Sequence, residues 1–204
     1  MSWVPLHVHT TYSLLDSQSK PDMIAARCEK LGYKSCAITD HGTLAGTVSF
    51  SKALRKRNIK PLLGCEFYLS PNDPKIKTPE NGAHSHLCVL AKGEEGWKRL
   101  IQASSLSNNP DNFYKKPRLD VFTLGRLMGG HAIAFSGHPG SDLCNVLFSE
   151  LRKAYTCQTY DEARNLVPTD WESRLTALVR KYQNSFGIEN FYIEIQTIDQ
   201  ENFP

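Results

Sequence analysis

A chain of 204 residues, 40% hydrophobic and 22% charged, carries enough apolar material for one substantial core and reads as a single globular domain. Its net charge of +3 is too small to imply nucleic-acid binding by itself. No stretch approaches the roughly 20 apolar residues of a membrane span, and the opening MSWVPLHVH lacks the basic and long apolar regions of a signal peptide, so the cytoplasm is expected.

In chain order, WVPLHVH (3–9) reads as a strand. PDMIAARCEKLG (21–32) reads as a helix, with Pro21 in its first turn and Gly32 as its stop. SCAIT (35–39) is a short buried strand, and a helix follows around 44–57. Residues 60–70 form a strand, 71–85 a proline-rich loop, 86–92 a strand and 94–107 a helix. After the loop 108–120 come a short helix near 121–128 and the strand 131–136. Helices near 141–154 and 171–186 precede the last strand, 190–196. Repeated βα units without a GxGxxG or Walker-type loop predict a mainly parallel sheet, closed as a barrel rather than open. Six cysteines, never closer than eight residues and without a CxxC pair, read as buried free thiols.

The histidines cluster at strand ends. His7 and His9, two apart, project to the same side of the first strand. Asp40-His41 follows the second strand, Glu66 lies in the third, His84 and His86 precede the fourth, and His138 follows the fifth. His131 begins its strand, at the opposite rim. Converging imidazoles repel when protonated and lose hydration when buried. A divalent cation removes both problems, with Asp16 and Glu66 balancing its charge. Such a donor set suits zinc, manganese or iron, as two or three ions, and phosphoester chemistry. Asp40 either orients an imidazole from behind or caps the next helix. FYKKPR (113–118) is either a phosphate-backbone contact or a solvated loop.

The stretches LHVHTTYSLLDS (6–17), AITDHGTLAGTVSFSKALRKRNIKPLLGCEFYLS (37–70), HLCVLAKGEEGWKRLIQASS (86–105), FYKKPRLD (113–120) and FGIENFYIEIQ (186–196) together resemble the PHP (polymerase and histidinol phosphatase) family. More narrowly they are similar to the N-terminal PHP domain of bacterial DNA polymerase III α subunits. The resemblance implies a distorted (β/α)7 barrel with a trinuclear metal site. By motif match its ligands are His7, His9, Asp16, His41, Glu66, His86 and His138, with His84 in reserve. His138 stands where many polymerase relatives have cysteine, and Ser17 where glycine is usual. The family's final Asp-x-His does not occur, so the seventh strand and two ligands are expected to be missing, leaving an apolar sheet edge that pairs with another segment.

Three functions follow. The first is a PHP module of a replicative polymerase, with the rest of a polymerase III α-type polypeptide as partner, DNA as a possible one, and possible metal-dependent 3′–5′ exonuclease activity. The second is a free-standing phosphoesterase of histidinol-phosphatase type. The third is a non-catalytic scaffold for polymerase assembly.

Overall fold

The computed structural model describes residues 3–82, 85–147 and 156–196. Along them run α1 (Pro21–Lys30), β1 (Ser35–Ile38), α2 (Thr47–Arg55), β2 (Lys60–Leu69), β3 (Ser85–Ala91) and α3 (Gly93–Ser107). Then come β4 (Arg118–Leu119), α4 (Val121–Met128), β5 (Ala132–Phe135), α5 (Asp142–Leu147), α6 (Tyr160–Arg164), α7 (Trp171–Phe186) and β6 (Phe191–Tyr192). The short β4 and α6 carry no periodic signal in the sequence. Of the helix expected over 141–154, residues 148–154 lie outside the described residues, as does His84.

The strands form one mixed sheet in the order β1-β2-β3-β5-β6, with β4 also on β2. The expected mainly parallel direction holds for five of the six described strands, and β3 is the exception. β3 runs antiparallel to both β2 and β5, while the β1–β2, β2–β4 and β5–β6 pairs are parallel. The cause lies in the connection. Parallel neighbours need a crossover, usually helical, and the segment between β2 and β3 offers only the short 3-10 turn Glu80–Gly82 among its described residues.

Residues 3–9 also differ from expectation, for they form no regular ladder strand. They run beside β1, with the Ala37 amide donating to the Pro5 carbonyl (2.8 Å) and the Thr39 amide to that of Val8 (2.9 Å). Two residues on one side thus span three on the other, the geometry of a bulge. The Val8 amide donates instead to the Thr39 hydroxyl (3.0 Å), and Pro5 has no amide hydrogen to offer. The last strand is likewise shorter than expected, and beyond Tyr192 its pairing passes to a side chain, Glu194 N–H donating to Ser136 Oγ (3.0 Å).

Alternation along β2 divides the core. Cys65, Phe67 and Leu69 join Leu87, Val89, Leu100, Leu124, Met128 and Tyr182 beneath α3, α4 and α7. Glu66 and Tyr68 point the other way, above a small apolar floor of Ala37, Cys88, Leu90 and Phe135. A further cluster, including Ile38, Phe50 and Leu54, joins α1 and α2 to β1. Cys28, Cys36, Cys65 and Cys88 are buried free thiols. Arg118 is fully buried without a carboxylate partner among the described residues. Its guanidinium donates to the Asn81 and Pro74 carbonyls and lies 5.2 Å from the Tyr114 ring centre, which ties the loop after β2 to β4.

α4 is capped by Asp120, whose Oδ1 accepts from the Thr123 amide (2.9 Å). It meets α7 at Gly125, where an added Cβ would lie 2.4 Å from the Ser185 carbonyl oxygen. That oxygen belongs to a helix and has no room to retreat. Gly125→Ala is therefore expected to destabilise the fold by about 1–3 kcal/mol, read as a lower urea midpoint at unchanged slope. An unchanged midpoint would show that the two helices are free to part.

Candidate metal centre

The site grows from β2. Beyond Ile38 the chain keeps tracking β2: Glu66 N–H donates to the Asp40 carbonyl, Gly42 N–H donates to the Glu66 carbonyl, and His41 forms a parallel bridge with Glu66. Tyr68 pairs with His86 across the β2–β3 ladder. Gly137, at φ +76°, turns the chain after β5 so that His138 faces back. The segment beside β1 delivers His7 and His9, whose ring centres are 5.0 Å apart.

Glu66 is completely buried, and its two oxygens face different imidazoles. Oε1 lies 2.9 Å from His86 Nδ1 and 3.0 Å from His138 Nε2. Oε2 lies 2.9 Å from His7 Nε2, 3.1 Å from His9 Nε2 and 3.5 Å from His41 Nδ1. Asp16, about half exposed, sits 3.5 Å from His41 Nε2. All seven residues singled out from the sequence are therefore brought together. They make overlapping groups able to hold an ion: His41, Glu66, His86 and His138; His7, His9 and Glu66; and His9, Asp16 and His41.

Two observations fit a cation here. The buried His41 Nδ1 has no hydrogen-bond partner. The Nε2 atoms of His7 and His9 face each other at 3.1 Å, close to the roughly 3.3 Å that separates two nitrogens on one tetrahedral ion. The cluster could thus hold a divalent metal.

The outward nitrogens are tied down. His7 Nδ1 donates to Glu194 (3.0 Å), and His9 Nδ1 donates to Ser13 Oγ (3.1 Å). Ser13 also accepts from the His41 amide (3.1 Å) and donates to Asp40 Oδ1 (2.8 Å). Asp40 accepts besides from the amide and hydroxyl of Thr10 (2.6 and 2.7 Å). It therefore caps no helix, which corrects that reading, and it stands behind an imidazole at one remove instead of touching it. It acts on His9 through Ser13, because the 10–13 turn fills the space between them. His138 is arranged differently. Its Nδ1 accepts from the Gly140 amide (2.9 Å), so in the neutral ring Nε2 carries the proton and donates to Glu66.

Ser13 and Glu194 were not foreseen. Ser13 hides in YSLLD as an ordinary turn residue. Glu194 alternates with Tyr192 and Gln196 at the end of the last strand, a signal of the same kind that exposed His7 and His9.

Burial works against a charge on His7, but its bonds to Glu194 and Glu66 outweigh it and raise its pKa to about 9. Burial lowers that of His41 to about 4, against the pull of Glu66. Burial also disfavours the charged carboxylates, yet their histidine partners hold Glu66 and Glu194 below the usual range. A histidine with a raised pKa stabilises the fold fully below its ordinary 6.5, and that contribution is lost as pH rises through about 9. Depressed carboxylates act oppositely and lose theirs on acidification. In excess EDTA the thermal midpoint should therefore fall between pH 6.5 and pH 9, and fall less in Glu194→Gln. That variant separates the pair from the buried thiols, which burial keeps protonated in the fold and which ionise at about 8.5 only once unfolding exposes them. Equal slopes would show that Glu194 does not hold the His7 proton.

The family model described as PHP domain matches residues 5–198. DNA polymerase III subunit alpha of Helicobacter pylori (strain ATCC 700392 / 26695) is 34% identical over 192 residues, covering 93% of this chain and 14% of that protein. The subunit of Aquifex aeolicus is 31% identical over 201 residues, covering 95% and 15%. That of Treponema pallidum is 31% identical over 208 residues, covering 98% and 16%. The chain thus spans well under a fifth of the length of these relatives. A solved structure from Bifidobacterium adolescentis, assigned as a metal-dependent phosphoesterase, aligns with TM-score 0.47 and 12% identity over 89% of this chain and 84% of that one. No described helix is long and apolar enough to cross a membrane. With nearly its whole length matched by the family model, the chain belongs to the PHP domain family.

Proposed function

We propose that this chain is the PHP module of a DNA polymerase III α-type polypeptide acting in the cytoplasm, and that its histidine cluster holds two or three divalent ions, zinc, manganese or iron, for hydrolysis at a DNA 3′ end. The observation that carries this reading is Glu66. One buried carboxylate offers each oxygen to a different set of imidazoles, which is what bridging two ions requires. The first-named ligands are His7, His9, Asp16, His41, Glu66 and His86. His138 joins them on giving up its bond from Gly140.

When bound, divalent ions lower the pKa of water and stabilise charge on phosphoryl oxygens. The chain supplies the rest. Glu194 fixes the ring of His7, and Asp40 fixes that of His9 through Ser13, so the inward nitrogens stay aimed. A cavity of about 320 Å³ lined by His7, His9, Asp16, His41, His138 and Gln196 admits the scissile phosphate. Water forms the new P–O bond as the bond to the 3′ oxygen breaks. The shortened strand keeps a 3′-hydroxyl, and a nucleoside 5′-monophosphate leaves.

A groove of about 720 Å³ runs between residues 3–7 and 192–196, with Trp3, Ile193 and Ile195 exposed along it. We read it as the seam of a distorted (β/α)7 barrel, completed by further polypeptide.

The test is elemental analysis of the purified chain beside stepwise shortening of a 5′-labelled single strand in manganese. Glu66→Gln is expected to lose most of the bound metal and at least about 100-fold in rate, and EDTA should stop the wild type. A metal-to-protein ratio unaltered by Glu66→Gln would overturn the assignment.

A further inference from the structure

We propose that the groove beside the histidine cluster binds the nucleotide next to the scissile one in a single-stranded nucleic acid, with Lys116 on its phosphate and Tyr12 and the Leu14-Leu15 pair against its base. The inference rests on the phosphodiesterase reading above and names its substrate subsite.

The groove, of about 680 Å³, shares Asp16 and His41 with the cluster, so a ligand lying in it would reach any ion that these residues hold. Its far wall is Lys116 and Pro117. The pairing of Arg118 with Tyr68 sets their position, since it carries the residues before Arg118 back along β2 toward the site. Lys115 adopts φ +62°, a left-handed conformation that side chains other than glycine rarely take, in the tight turn where Tyr114 N–H donates to the Lys116 carbonyl (3.2 Å). This turn puts the Lys116 ammonium 5.2 Å from the Tyr68 ring centre, and Tyr68 stacks on His41 at 5.7 Å. Lys116 is thus a fixed cation one ring away from the cluster. The facing charge is Asp16, which an ion in the cluster would neutralise.

The opposite wall is unusual in another way. The 13–16 turn points Leu14 and Leu15 into solvent, and Leu15 is held at φ +66°. Tyr12 is 40% exposed beside them, its hydroxyl 3.3 Å from Ser49 Oγ. Two bare leucines and an aromatic edge gain nothing from water. They suit the face of a base, which stacks without regard to sequence. A small phosphate monoester would fill the cavity at the histidine cluster and leave this groove unused. A cation on one wall and apolar surface on the other match a nucleotide whose backbone continues past the site.

The test uses the full chain with manganese and a fluorescein-labelled phosphorothioate thymidine octamer, read by anisotropy across a salt series, with bound metal measured alongside. Lys116→Gln should weaken binding about fivefold and reduce the log–log salt slope by about 0.7, the release expected for one phosphate contact on a single strand. Tyr12→Ala should weaken binding by a similar factor with the slope unchanged. Lys115→Gln, one residue away and over the Tyr114 ring at 5.4 Å, should leave both nearly as they are. All three variants should keep the wild-type metal content. Equal losses in the two lysine variants would indicate diffuse attraction and overturn the subsite, as would wild-type binding in all three. A wild type that holds metal but not the octamer would also overturn it while leaving the metal assignment intact. A wild type without metal would instead remove the reading on which it rests.

Discussion

A carboxylate with no solvent exposure organises this molecule. Among the described residues the ion-pair partners of Glu66 are all histidines, five of them, and no lysine or arginine is among them. Burying an anion costs several kcal/mol unless a counter-charge and hydrogen bonds replace its hydration. Five imidazoles cannot all be protonated at this spacing, because each new charge raises the cost of the next. Without metal, one resolution is visible. His7 takes the proton and is held by two carboxylates, and His41 stays neutral with a bare nitrogen. Divalent cations would satisfy every member at once, and the cluster could hold them.

The second layer decides which nitrogen each ring offers. A metal needs a lone pair, and the bond on the far side of the ring determines where that lone pair lies. Glu194 behind His7 and Ser13 behind His9 both accept from Nδ1, so Nε2 is left facing inward. Ser13 has no spare capacity. It accepts two bonds and donates the third to Asp40, whose oxygens are in turn filled by Thr10. The turn that carries Asp16 is thus braced by the same contacts that orient His9. Bracing of this kind keeps a ligand within the few tenths of an ångström that coordination demands.

The histidines and carboxylates of the cluster, and their placement near strand ends, were legible in the sequence because a polar residue within or just beyond an apolar run is conspicuous. So were helices with clear ends, such as Trp171–Phe186 and Val121–Met128. What escaped notice was of two kinds. Ser13, Glu194 and the true role of Asp40 depend on residues 27 to 187 positions apart meeting, which periodicity does not encode. The bulge at residues 5–8 and the two-residue strand β4 depend on which neighbour supplies a hydrogen bond, since neither has a length or a pattern of its own.

Strand direction carries the last step. In a wholly parallel sheet, functional residues collect at the carboxyl ends of the strands, and His86, at the start of its strand, would stand at the wrong rim. Because β3 runs against its neighbours, its first residues lie where β1, β5 and β6 end, beside His41, His138 and Glu194. The same reversal sends the end of β3 to the opposite rim, where Lys92 N–H donates to the carbonyl of His131. His131 is thereby excluded from the cluster by topology and not by chemistry. One antiparallel strand therefore separates two histidines that the sequence presents alike, each beginning a strand, and only the one on β3 reaches Glu66.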